Sequence, residues 1–399
     1  MKLASGWGFG LVFAAAALCC IAQTASPPNQ LRQAALSLEQ QGKTSEAEAA
    51  WRSILKTHPK DPEPYAHLGL LEAQQEHYKE AVSQYRKALA FGPQLASVRL
   101  NLGLALFKSG ELKDSIAVFE PLLKSEPPSS KTAHRLTILI GMAHYGLGEF
   151  AKATVYLKEA AVSDPQDLPL LLALAHSYLW SKQYQPVLDV YHQILTLDPN
   201  SAEADMLAGE ALDEMKDNEG STKMFRAAVA ANPKEPNVHF GLGYLLWTQK
   251  LYPEAASEFK AELVNNPDHA QSLMYLADSD IQMNQTPDAR PLLEKVIKLD
   301  PSLPLAHLDL GIILSDAGNN SDALRELTLA EKLQPNEVNV HWRLGRLYRT
   351  MGRKDDAKAE FDNASSLNKA ADESLYKKIA NGSPRPPQGQ APVTPPPAQ

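Results

Sequence analysis

The sequence predicts an all-α protein of the α-solenoid class, a stack of helix pairs without a single globular core. Three observations carry that reading: small residues, large apolar residues and prolines each recur at an interval of about 34 residues, always in the same order. A chain of 399 residues would otherwise be read as two or three globular domains. A repeat that occupies most of the chain overrides this, because each unit buries its apolar face against its neighbours.

Set out in rows from Pro28, the small residues form one column: Ala35, Gly69, Gly103, Gly141, Ala175, Gly209, Gly243, Ala277, Gly311 and Gly345. Further along each row a second column reads Ala47, Ala81, Ser115, Ala153, Val187, Ser221, Ala255, Ala289, Ala323 and Ala357, with only Val187 bulky. The third column is large, comprising Trp51, Tyr85, Phe119, Leu157, Tyr191, Phe225, Phe259, Leu293, Leu327 and Phe361. The fourth is proline, from Pro59 and Pro93 through Pro301 and Pro335, with Lys369 in its place in the last row.

Each row should therefore hold two amphipathic helices of about a dozen residues. The small residues fall where the pair crosses and let the backbones approach to roughly 8–10 Å. The large side chain of the second helix should cover the gap to the following unit. Proline ends the second helix, because it offers no N–H and clashes with the preceding turn. Pro62, Pro236 and Pro304 should open first helices, where a missing donor costs nothing.

With these four columns at those places, the pattern resembles the tetratricopeptide repeat. The resemblance covers residues 28–371 in ten units, with an insertion near residues 128–133 that moves the start of the fourth row to His134. It implies a right-handed superhelix whose concave face, lined by the first helix of each unit, binds segments of other proteins. Residues 372–380 then read as a polar capping helix over the last apolar face.

The two ends lie outside the repeats. Lys2 is followed by an apolar run from Gly10 to Ala22 that is shorter than the roughly 20 residues needed to cross a bilayer. Residues 1–22 read as a signal peptide cleaved after Ala22, with a short linker at 23–27. A retained membrane anchor and a lipid on Cys20 are alternatives, the latter opposed by Cys19, which stands where such a signal wants a small residue. Both cysteines, Cys19 and Cys20, would be removed, so the mature chain would carry no disulfide. The short signal without further targeting suits an exported bacterial protein, periplasmic or secreted, with a eukaryotic secretory origin as the alternative. The proline-rich stretch 381–399 should be disordered.

A net charge of −8 and a pI near 5.8 argue against nucleic acid, which requires clustered lysine and arginine. The sequence contains no phosphate-binding glycine loop, H-E-x-x-H, G-x-S-x-G or Cys-x-x-Cys. Gly241 and Gly243 fall inside a helix, and His239, His307 and His341 share the fourth place of their rows, where such repeats carry packing residues. No catalytic residue, cofactor or metal is therefore expected, and the repeats leave no room for a catalytic domain.

What remains is a binding face. Spacing places Leu104, Phe107, Met142, Tyr145, His176, Trp180, Met206, Phe240, Tyr244, Trp247, Met274 and Tyr275 on the inner side of first helices, joined by Arg343 and Arg346 in the tenth unit. Methionine and aromatic side chains suit a groove for a protein or peptide. Trp180, Tyr244 and Trp247 are the expected exposed anchors. The clamp with which some relatives of this repeat hold chaperone tails is not expected: only Asn101 and Arg135 match it, against Ala66, Leu70 and Leu139. The expected function is a non-catalytic scaffold binding a protein segment in the cell envelope. Two alternatives are a polysaccharide-binding or export scaffold, with Trp180, Tyr244 and Trp247 stacked on sugar rings, and an assembly subunit of a secretion, pilus or outer-membrane machine.

Overall fold

The structure is a computed structural model and describes residues 27–382. The expected signal peptide, the linker up to residue 26 and the tail from residue 383 lie outside these residues. The described residues form twenty helices and no strand. They pair as ten helical hairpins and divide into two compact units at residues 221 and 222.

The first unit holds α1 (Pro27–Gln40), α2 (Thr44–Thr57), α3 (Pro62–Gln74), α4 (Tyr78–Phe91), α5 (Ala96–Ser109), α6 (Leu112–Ser125), α7 (Lys131–Gly146), α8 (Phe150–Ser163), α9 (Leu168–Trp180), α10 (Tyr184–Leu197) and α11 (Ala202–Glu214). The boundary falls within α12 (Asn218–Ala231). The second unit continues with α13 (Val238–Thr248), α14 (Tyr252–Asn265), α15 (Ala270–Gln282), α16 (Thr286–Leu299), α17 (Pro304–Asp316), α18 (Asn320–Leu333), α19 (Val338–Thr350) and α20 (Lys354–Gly382). None of these is long and apolar enough to cross a membrane.

First helices start where the rows predict, at Pro62, Ala96, Leu168, Ala202, Ala270, Pro304 and Val338. Asp61 caps α3 by accepting the Glu63 N–H, with Pro62 in the first turn. Two starts differ. The inserted residues lengthen α7 backwards to Lys131, where Ser130 caps it by accepting the Ala133 N–H at 2.9 Å. Pro236, expected to open a helix, instead lies in the turn before α13. Asn237 there has a φ of 67° and gives no side-chain cap. The buried Glu262 of α14 supplies one, its carboxylate accepting the N–H groups of Asn237 and Phe240, each at 3.3 Å.

The turn inside every hairpin has one geometry. Its pivot is left-handed in all ten: Gly42, Glu76, Gly110, Gly148, Lys182, Lys216, Lys250, Asn284, Gly318 and Gly352 have φ between 60° and 84°. The next residue donates its N–H back to the carbonyl five residues before it, as in Lys43 to Leu38 and Gln285 to Asp280, at 2.7–2.9 Å throughout. This is a Schellman closure, which satisfies carbonyls the helix end leaves free. Second helices end two residues before each proline of the fourth column. Where Lys369 replaces that proline nothing stops the helix, and α20 runs on to Gly382. Residues 372–380 are therefore the continuation of α20 and not the separate capping helix that was expected.

The packing columns meet within a hairpin. A Cβ added at Gly103 would lie 2.3 Å from the Phe119 ring, and one at Gly69, Gly243 or Gly345 would lie 2.6–2.8 Å from Tyr85, Phe259 or Phe361. The large side chain thus fills the crossing of its own pair and, as expected, also reaches the next hairpin, as Trp51 stacks on His67 and Phe259 on Tyr275. Tyr85, Phe119 and Phe259 are fully buried there. Bonds to the fourth-column prolines tie successive hairpins together. The carbonyls of Pro59, Pro93, Pro301 and Pro335 accept from Tyr65, Arg99, His307 and His341, all at the fourth place of the following row.

In each unit the first helices of successive hairpins pack on one another, as α3 on α5 and α7 on α9, or α13 on α15, α15 on α17 and α17 on α19. Among the described residues the second helices do not do so to the same degree. The first-helix layer is therefore the closely spaced face within each unit.

Candidate functional site

The predicted groove residues separate into core, edge and surface. Leu104 is 8 % exposed and packs with Phe119, Leu136 and Ile140, and Met274 is 5 % exposed within the core around Leu273 and Ala277. Both were expected on the groove and instead belong to the core, because their helices rotate those places toward the neighbouring hairpin. Phe107 and Met142 are half-buried at the core edge, and Met206 is half-buried as well.

In the first unit the predicted residues build an aromatic patch around Trp180. Trp180, 62 % exposed, stacks on Phe150 with ring centroids 6.0 Å apart. Phe150 in turn meets the edge of Tyr145, and Tyr145 the edge of His176. His176 Nε2 lies 3.0 Å from the Glu203 carboxylate. Phe150 escaped the sequence reading because it sits on a second helix, α8, outside the columns searched.

The second unit builds a denser cluster. From α13, Tyr244 is 39 % exposed and stacks at 6.0 Å on Trp247, and Phe240 lies one turn earlier. From α15, Tyr275 presents its edge to Tyr244 at 5.2 Å and to Trp247 at 4.8 Å. Burial, with Tyr244 and Asp278 adding to it, pushes the Tyr275 phenol up to about 12. Trp247, expected as a free anchor, is half-buried and donates its indole N–H to Asp278 Oδ2 at 2.5 Å. The other Asp278 oxygen accepts from Gln282 at 3.3 Å.

The next first helix, α17, carries a second carboxylate. Asp309 is 5 % exposed, and its Oδ2 has no hydrogen-bond partner. Burial and then the neighbouring Asp278 charge raise it well above the ordinary aspartate value, and Arg343 on α19 offsets only part of this. Arg343 is half-buried and Arg346 exposed, and among the described residues neither forms an ion pair. The sequence reading named Tyr275 and Arg343 but not Asp309, although all three occupy the sixth place of consecutive rows. That shared place was the available signal.

The one grouping with the spacing of metal ligands among the described residues is Glu331, His341 and Glu360. His341 donates through Nε2 to the Pro335 carbonyl at 2.8 Å, and its Nδ1 lies 2.7 Å from Glu360. Both ring nitrogens are thereby committed. The same fourth-place histidine pairs with a carboxylate of the second helix at His307 with Glu326 and at His239 with Glu258, which makes it a clip within the hairpin.

Family models described as tetratricopeptide repeat match residues 28–71, 100–168, 206–270, 280–341 and 338–370, and one described as TPR repeat matches 70–110. The chain belongs to the tetratricopeptide-repeat family. This tetratricopeptide-repeat chain is 22% identical over 284 residues to anaphase-promoting complex subunit 3 of Schizosaccharomyces pombe, a match covering 71% of this chain and 42% of the other. It is 22% identical over 304 residues to BBSome complex member BBS4 of Bos taurus, covering 76% and 58%. The chain spans about half the length of these curated relatives. Among solved structures, pilF of Pseudomonas aeruginosa aligns with a TM-score of 0.46 and 19% identity over 54% of this chain and 97% of that one.

Proposed function

We propose that this tetratricopeptide-repeat chain is a non-catalytic, exported scaffold that holds a segment of a partner protein against its first-helix faces. The observation that carries the reading is the cluster of Phe240, Tyr244, Trp247 and Tyr275, four aromatics brought to one face by α13 and α15. Partly exposed tyrosine and tryptophan beside a polar group are the side chains that anchor interfaces. Two relatives carry names that make them members of protein complexes, which supports a partner held stoichiometrically in an assembly. The location in the cell envelope rests on the signal-peptide character of residues 1–22.

The test is capture in the host. The tagged chain is cross-linked in cells beside a Tyr244→Ala, Trp247→Ala variant, and the mature N-terminus is sequenced. The reading expects one polypeptide recovered by the parent and lost by the variant, and a mature chain beginning at Gln23. Equal recovery by both would remove the aromatic face from the account, and an intact N-terminus would remove export.

A second reading, binding of a polysaccharide, is favoured by one observation. The exposed Trp180 ring, backed by the half-buried Phe150, is a surface of the kind on which sugar rings lie. Binding of a neutral glucan that survives high salt and is lost on Trp180→Ala would favour it.

A further inference from the structure

Two carboxylates stand beside the aromatic cluster of the second unit. Four facts stand together there. Asp278 and Asp309 come from neighbouring first helices, α15 and α17, and each is 5 % exposed. Asp278 has both oxygens engaged, by Trp247 and Gln282. Asp309 keeps one oxygen without a donor. No lysine or arginine forms an ion pair with either carboxylate among the described residues, although Arg343 lies near enough for its charge to be felt. Buried polar groups in folded proteins are normally hydrogen-bonded, and buried charges normally paired. Asp309, with one oxygen that no donor reaches and no ion pair, beside the Asp278 carboxylate that holds Trp247, can take a donor that carries a positive charge.

We propose that this face of the second unit receives a lysine or arginine side chain of the partner protein, with its aliphatic stem on Tyr244 and Trp247 and its cation directed to Asp309 and Asp278. Aromatic faces favour a cation within about 6 Å of the ring, and a long basic side chain can lay its methylenes on apolar surface while its charged end reaches a carboxylate. A sugar hydroxyl could donate to Asp309 but brings no charge to the Asp278–Asp309 pair. The inference rests on the proposed protein-binding face and adds the chemistry of the segment it holds.

A random-peptide display library, selected on the intact chain and on Asp309→Asn and Asp278→Asn variants, tests it. The parent is expected to enrich peptides with lysine or arginine flanked by apolar residues. Each asparagine variant, shown by circular dichroism to melt as a folded protein, is expected to weaken binding of those peptides by about tenfold or more, since removing one member of a desolvated charge pair acts mainly on dissociation. Enrichment of purely apolar peptides, or equal basic enrichment on Asp309→Asn, overturns the cation site and leaves the aromatic face standing. No enrichment on the parent overturns both. Displacement of bound peptides by neutral dextran, with no preference for basic residues, overturns the cation site in favour of a glycan.

Discussion

Asp309 holds a carboxylate oxygen that no donor reaches, in a place where leucine would pack. An unsatisfied buried polar group costs about 1–3 kcal/mol, more when charged. Asp309→Leu should therefore raise the stability of the second unit by about that amount, measured as the urea midpoint. Its pH dependence has a defined sign. A carboxyl raised above its ordinary 3.8 keeps its proton longer when folded, so its favourable contribution is complete below about pH 3.8 and is lost as pH rises through the raised value. His341 follows the same direction for a different reason. Burial pushes it down, but the Glu360 carboxylate, the Pro335 carbonyl and Glu331 outweigh this and leave it above its ordinary 6.5. Its contribution is complete below about pH 6.5 and fades as pH rises through the folded value. In urea midpoints followed across pH, Asp309→Asn should flatten the profile above about pH 3.8 and His341→Asn the part above about pH 6.5. An unchanged profile in either variant would contradict the assignment.

The hairpin is the element on which the sequence could be read and also where reading stopped. The small column and the large column were legible because one touches the other, as Gly103 touches Phe119, and close packing restricts both to a few residue types. Gly103→Ala should destabilise the first unit by about 1–3 kcal/mol in chemical denaturation despite alanine's higher helix propensity, since the Phe119 ring is fully buried and cannot yield. The left-handed column at the hairpin turn went unread because only half of its members are glycine. At Glu76, Lys182, Lys216, Lys250 and Asn284 the Schellman hydrogen bonds hold a conformation the side chain opposes. Lys182→Gly should accordingly stabilise the first unit by about 0.5–1 kcal/mol, read as a higher urea midpoint, whereas the same change in a helix interior would destabilise. The late start of α13 was hidden for a third reason. Its cap comes from Glu262 on another helix, and no local pattern announces a cap supplied through space.

At the scale of the whole chain, the repeat made the fold class and the family legible while leaving function open. Ten hairpins repeat one packing solution, so the periodic residues report stability and the non-periodic ones report what the protein holds. Of the residues expected on the binding face, Tyr244, Trp247, Tyr275 and Phe240 do come together, whereas Leu104 and Met274 are core. Spacing alone could not separate these groups, because the inner side of a first helix faces both the groove and the neighbouring first helix. The central claim is that the first-helix layer, and not the second, meets the partner. A photoreactive phenylalanine analogue tests it most directly, placed at Tyr244 on α13 or at the exposed Val264 on α14 and irradiated in the host cell. The account predicts one discrete cross-linked polypeptide from position 244 and none from position 264. The same cross-link from position 264, with none from 244, would contradict it.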